Sequence, residues 1–401
     1  MSTPEKPSPP SIPLSKVWEI YQIMKNRLAK DVFGRDSDWD KELYPEGGLG
    51  TLQMIITAIL SGGHVLLQDY PGSGKSFLVT KLAKCIHDDI PEEGFNIPPY
   101  KRIQCVPDLL PSDIMGYNKP AMDGVPAHFV HGPVFAYFLL LDEINRTTPK
   151  VQSAMLQAMA EGTVTVDGDD KKLGEIFFVI ATQNPLDKVG TYPLPGASLD
   201  RFLFKRTLEP ISKEATVRII LDSGDEGKEG FKKWCSSQNI TPPDDKVNKT
   251  YADRKINAKE LIAAKKTIEE KVQLSNATIN TLLKVDELIQ TCYEEPILRD
   301  SRITFEEGSR PSPRTLKRLA GALKVMALIC KGEELEKQGV SDPEIGKELD
   351  RTPLETHPRL LRKIVADFLR HRVYPKGGAV SDKELEKYLV AIADEAIKVN
   401  V

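Results

Sequence analysis

The stretch HVLLQDYPGSGKS, residues 64–76, decides how the rest of the chain is read. A short apolar burst, His64-Val-Leu-Leu67, enters a loop rich in glycine and proline, and a helix-like segment follows from Lys75 to about Ile86. Glycines at 72 and 74 let backbone N–H groups curl around phosphate oxygens, and a helix N-terminus adds positive potential. Lys75 brings a mobile cation to β- and γ-phosphates, and Ser76 offers a hydroxyl to Mg2+. Pro71, Gly72, Ser73, Gly74, Lys75, Ser76 and Phe77 are therefore the candidate nucleotide-binding residues. The general pattern GxxxxGK[ST] is not met at its first position, where Asp69 stands. A bare GSGKS is a weak signal; its strand–loop–helix setting makes it a stronger one.

Three further elements fit the same chemistry. Phe138-Leu-Leu-Leu-Asp142-Glu143 reads as an apolar strand ending in two carboxylates. Asp142 is placed to hold a Mg2+ shell and Glu143 to polarise an attacking water. Alone, paired acids at a strand end are ordinary turn residues; in this order within an α/β pattern they are candidate catalytic groups. Ile176–Ala181 is another apolar strand, and Asn184 after it is an amide suited to placing that water. Arg201, in Ser198-Leu-Asp-Arg-Phe202, and Arg314, in Ser312-Pro-Arg314, are candidate phosphate contacts, because guanidinium geometry suits phosphate oxygens. Arg314 falls in the first turn of a predicted helix, where the dipole disfavours a cation, so its place asks for an anionic partner. The alternative for both arginines is a surface ion pair, worth little.

Outward from these motifs, short apolar bursts at 102–106, 138–141, 176–181 and 202–208 alternate with helical or loop stretches. That alternation predicts a parallel sheet covered on both faces. Residues 1–14 hold five prolines and read as an extended arm. Ser15 is placed to cap a helix with Val17, Ile20, Tyr21, Met24 and Leu28 on its apolar face. The α/β unit is expected over 15–222, a polar insertion with one short helix over 223–256, and an all-helical unit over 257–401. Asn257 with Glu260 forms a capping box, and Ser312-Pro313 is a helix start. Helices are expected over 275–292, 312–330, 358–373 and 381–399.

The 401 residues suit two units. With 55 Lys+Arg against 58 Asp+Glu, the net charge of −3 gives nucleic-acid binding no support. The five cysteines show neither a disulfide framework nor metal-ligand spacing, so buried reduced thiols are expected. The amino end lacks an apolar export core, and no run approaches the ~18–20 apolar residues of a membrane span. A cytoplasmic location is the expectation.

Several stretches together resemble a MoxR-type AAA+ ATPase of the helix-2-insert group: GGHVLLQDYPGSGKS, RIQCVPDLLPSDIMGY (102–117), HGPVF (131–135), LLLDEINRTTPKVQSAMLQAMAEGTVTVDG (139–168), FFVIATQNP (177–185), GTYPLPGASLDRFLF (190–204), SPRTLKRL (312–319) and FLRHRV (368–373). An acidic residue at the position of Asp69 is common in that family. The resemblance implies an α/β P-loop core followed by a smaller all-α lid, with ATP and Mg2+ as cofactors. It implies a Walker A lysine and hydroxyl at Lys75 and Ser76, and Walker B acids at Asp142 and Glu143. Sensor 1 would be Asn184, sensor 2 Arg314, and Arg201 an arginine finger offered to a neighbouring subunit. A helix-2 insert would lie within 107–133 and a pre-sensor-1 hairpin within 161–174. The family forms rings, usually hexamers, and often works with a von Willebrand factor A domain partner to remodel client proteins or insert metal cofactors. Three other functions compete with this expectation: a nucleic-acid-stimulated motor of the helicase-related, insert-bearing group, a scaffold that binds ATP with negligible hydrolysis, and a chelatase-motor subunit acting in metal insertion into a tetrapyrrole. The stretch PEGGLGTLQ (45–53) departs from the family by lacking a Gly-Gln pair.

Overall fold

The computed structural model describes residues 10–31, 50–68, 75–86, 91–92, 95–122, 126–184, 190–208, 213–221, 225–238, 251, 254–291, 311–373 and 380–398. Five strands form its main sheet: β1 (Val65–Gln68), β2 (Tyr100–Gln104), β5 (Phe138–Asp142), β8 (Phe178–Gln183) and β9 (Phe204–Thr207). Their order is β9-β1-β8-β5-β2, and every pairing is parallel. All five residues of β5 and the first five of β8 are buried, the signature of strands covered on both faces. Besides a two-residue antiparallel pairing of Pro91–Glu92 with Phe95–Asn96, two longer side hairpins accompany this sheet. One pairs β3 (Gly116–Lys119) with β4 (His128–His131); the other pairs β6 (Thr163–Val166) with β7 (Asp169–Lys172). Asp167 and Gly168 both take positive φ at the turn of the second, as a two-residue hairpin requires.

Helix α1 (Leu14–Asp31) buries Val17, Ile20, Tyr21, Met24 and Leu28, the face its periodicity predicts. Ser15 is not its cap. It sits inside the first turn, where its hydroxyl donates to Asp350 Oδ2 at 2.6 Å. Next come α2 (Thr51–Ser61), closed by Gly62 in the left-handed region, and α3 (Lys75–Ala83). The short α4 (Pro111–Met115) leads into the first side hairpin, α5 (Pro149–Glu161) precedes the second, and α6 (Gly196–Leu199) precedes β9.

Beyond the sheet the described elements are almost all helical: α7 (Lys213–Ile220), α8 (Asp225–Ser237), α9 (Ala258–Lys271), α10 (Asn276–Thr291), α11 (Pro313–Lys337), α12 (Asp342–Arg351), α13 (Val365–Leu369) and α14 (Asp382–Lys398). The exception is a two-residue parallel pairing of 272–273 with 354–355. The architecture is an α/β core with a parallel sheet, followed by an all-α lid. Both predicted caps form. Asn257 Oδ1 accepts from the Lys259 N–H while Glu260 accepts from the Asn257 N–H, and Ser312 Oγ accepts from the Thr315 N–H. The single helix expected over 358–373 is instead a 3-10 turn, Pro358–Lys363, and then α13. Its end turns inward, burying Arg370, His371 and Arg372. Among the described cysteines, Cys85, Cys105 and Cys235 are buried and Cys330 is half-buried, all as free thiols; Cys292 lies outside the described residues.

Core and lid are joined by buried charge. Arg206 on β9 forms a two-pronged ion pair with Asp367 on α13, at 2.5 and 3.1 Å, and also donates to Thr51 Oγ1. Both charged side chains are 3% exposed or less. Removing one partner strands the other charge in the interior, so Asp367→Ala should lower unfolding free energy by about 3–5 kcal/mol. Chemical denaturation of the two proteins measures it.

Candidate functional site

Parallel strands end on the same side of a sheet, and that carboxyl edge is where ligands bind in open α/β folds. Strand β1 ends there at Gln68, and α3 starts at Lys75. Lys75, Ser76 and Phe77 thus open α3, while Pro71, Gly72, Ser73 and Gly74 lie outside the described residues. The two carboxylates of Asp142 and Glu143 reach the same edge on β5, two strands from β1.

The hydroxyl of Thr182, on the intervening strand β8, ties the two acids together. It donates to Asp142 Oδ1 at 2.8 Å and accepts from the Glu143 N–H at 2.8 Å. Glu143 sits at φ 61, ψ 53, in the left-handed region where a non-glycine residue is strained. That backbone bond helps hold it there. Arg102 donates to Asp142 Oδ2 at 2.6 Å, and Gln104, also on β2, donates to Glu143 Oε2 at 3.2 Å. Arg146 pairs with the same Glu143 oxygen at 3.2 Å. The negative field here also acts on Cys105: burial first, then Asp142 and Glu143, push its thiol up to about 12. Asn184 follows β8 directly and is buried at the same edge.

His64, at the start of β1, is fully internal. Its Nδ1 accepts from the Val179 N–H at 3.1 Å, so its Nε2 donates to the Met159 carbonyl at 3.1 Å. Burial drives its pKa down to about 3, and the neutral ring pins α5 to the sheet.

The two candidate arginines meet elsewhere. A cleft of about 280 Å³ is lined by Ser153, Leu156, Gln157, Ala160 and Glu161 on α5, by Ser198 on α6, and by Arg201 and Arg314. Neither Asp142 nor Glu143 lines it. Nearby Arg318 is lowered by burial, with Asp200 opposing and Arg314 and Arg201 adding to the fall, so positive charge is crowded at this junction.

A magnesium ion fits the donors present. Asp142 is a hard oxygen ligand fixed at the carboxyl edge, of the kind used by an ion that takes much of its shell from phosphate and water.

Residues 64–204 match the family model described as the ATPase family associated with various cellular activities (AAA). A 173-residue stretch is 39% identical to chaperone MoxR1 of Mycobacterium tuberculosis (strain ATCC 25618 / H37Rv), covering 43% of each chain. The chain carries an AAA+ core of the MoxR type. A 153-residue stretch is 52% identical to the uncharacterized protein YeaC of Bacillus subtilis (strain 168), over 37% of this chain and 44% of that one. These matches span less than half the length of either relative. The solved structure of a candidate ATPase from Cytophaga hutchinsonii aligns over 94% of this chain and 95% of its own, at 25% identity and a TM-score of 0.63. The likeness to that structure therefore extends through the helical lid.

Arg102, Gln104, Arg146 and Thr182 carry no motif of their own. The signal that could have found Thr182 is its place one residue past Ala181, which pairs with Leu141. Replacing Thr182 by valine keeps the shape and strands a buried carboxylate oxygen and the Glu143 N–H. The expected loss is about 1–3 kcal/mol of unfolding free energy, read by chemical denaturation.

Proposed function

We propose that this chain hydrolyses ATP, with magnesium, at interfaces between its own subunits, and couples turnover to remodelling of a client protein complex. The observation that carries the proposal is the Asp142–Thr182–Glu143 constellation, set two strands from the strand that feeds Lys75 and Ser76. In this reading the backbone of 71–77 cradles the phosphates, Lys75 neutralises them, and Ser76 and Asp142 hold the magnesium, whose charge offsets that of the phosphates. Glu143 orients the attacking water, and its strained, tethered backbone fixes where its carboxylate points. Asn184 assists from the tip of β8.

Arg201 and Arg314 share a cleft that Asp142 and Glu143 do not line, and the two guanidinium groups there suit an anion delivered by a neighbouring subunit. That geometry supports assembly into a ring, and six subunits, the family's usual number, is the proposed size. The proposed nucleotide-binding unit is 15–222, the hinge insertion 223–256 and the lid 257–401. A von Willebrand factor A domain protein is the proposed partner and a cytoplasmic setting the proposed location. No helix among the described residues is long and apolar enough to cross a membrane. On the second hairpin Lys171 lies over the Phe129 ring at 5.5 Å and near Asp169 at 3.6 Å, which does not favour a nucleic-acid motor.

Glu143→Gln should keep nucleotide affinity and lose nearly all steady-state turnover; wild-type turnover by that variant refutes the role of Glu143. Arg201→Ala should lower kcat while leaving nucleotide bound, since a finger supplied from outside is worth about 10³–10⁵ in rate. Mixed with wild-type subunits, it should depress activity more than in proportion to its share. A strictly proportional decline argues against a finger acting between subunits.

A further inference from the structure

Between the end of α6 and the start of α11 lies Asp200, one residue before Arg201 and without an assigned role in the stretches quoted above. Its carboxylate is saturated by the lid. Oδ1 accepts from Thr315 Oγ1 at 2.6 Å and from Arg372 Nε at 2.9 Å, and Oδ2 accepts from Ser312 Oγ at 3.1 Å. Two of these donors, Ser312 and Thr315, flank Arg314 in the first turn of α11. A second tie runs in parallel, as the Arg318 guanidinium donates to the Arg201 carbonyl at 3.0 Å.

The charges explain why an acid is needed here. Arg201, Arg314, Arg318 and Arg372 converge on a junction whose central carboxylate is Asp200. A helix N-terminus repels a cation in its first turn. Arg314 occupies that unfavourable place, and the anion at Asp200 offsets both the helix dipole and the mutual repulsion of the guanidinium groups. Arg372 is itself fixed: its side chain is 2% exposed, and it also donates to the carbonyls of Phe202, Leu203 and Phe368. Asp200 therefore hangs from a rigid post and grips the amino end of α11 with its remaining lone pairs.

We infer that Asp200 is a positioning residue, whose carboxylate clamps the first turn of α11 to the end of α6 so that Arg201 and Arg314 face one cleft together. The inference rests on the reading that this cleft receives the polyphosphate of a neighbouring subunit's nucleotide. The clamp fixes the spacing of the two guanidinium groups, so that one phosphate chain can be met by both.

The test uses the full chain with ATP, comparing Asp200→Asn, Thr315→Val, the double variant Arg201→Ala/Arg314→Ala, and each clamp variant added to that double. Asp200→Asn should lower kcat by about tenfold or more, as misplacement of a charged group does, with KM for ATP held within about twofold. Added to the double arginine variant it should cause no further loss, because it acts only through those side chains. An equal, multiplicative loss in that background overturns the inference and makes Asp200 a brace of the fold. Should Asp200→Asn not fold, Thr315→Val carries the same test, since it removes one hydroxyl donor and leaves the Arg372 pair in place. A wild-type rate for Asp200→Asn, beside slow arginine variants, overturns the clamp alone. Wild-type rates for the arginine variants themselves overturn the reading of the cleft, and the clamp with it.

Discussion

Five parallel strands covered on both faces leave polar chemistry few places to go. Side chains along β5 and β8 are buried against helices, so groups meant for solvent or ligand collect where the strands run out. At that edge a single hydroxyl, from Thr182, bonds both to the side chain of one acid and to the backbone of the next. The left-handed turn at Glu143 depends on that bond, and the direction of its carboxylate depends on the turn. Gln104, Arg102 and Arg146 then hold the two carboxylates apart from each other, each with its own partner. The proposed chemistry is thus a consequence of strand register.

The lid is bound to the sheet by charges hidden from water. Arg206 meets Asp367 beneath α2, and His371 Nε2 lies 3.0 Å from the Phe202 carbonyl. Arg372 caps several carbonyls around the same strand. Helices α1 and α2 add a second tie to the lid: Tyr21 on α1 and Gln53 on α2 both donate to Glu333 on α11, at 2.6 and 2.7 Å, and Trp18 fills the space that a side chain at Gly332 would take. Buried ion pairs of this kind contribute less to net stability than to the uniqueness of an arrangement. Here the arrangement they specify places α11, and so Arg314, beside Arg201.

Local signals were readable in the residues. Runs such as Phe138–Leu141 announce strands, and Ser312-Pro313 and Asn257 with Glu260 announce helix starts, because the interactions that form them span a few residues. The acid-tipped strand and the apolar strand that precedes Asn184 were equally legible. Features made by distant partners were not. Asp200 bonds to residues 112 to 172 positions away, and nothing near it in the chain marks the fact. Helix α12, with only Ile345 and Leu349 as large buried apolar residues, is too charged and short for periodicity to reveal. Nothing in the run Arg370-His-Arg372 marks that its cations turn inward, to the carboxylates of Glu386 and Asp200 and to the Phe202 carbonyl.

The central claim is that the edge formed by β1, β8 and β5 binds a magnesium-loaded nucleoside triphosphate. Calorimetric titration of the full chain with MgATP tests it most directly. Saturable heat that disappears in Lys75→Ala is the predicted result. No heat from the wild-type protein, or an unchanged isotherm in the lysine variant, would contradict it.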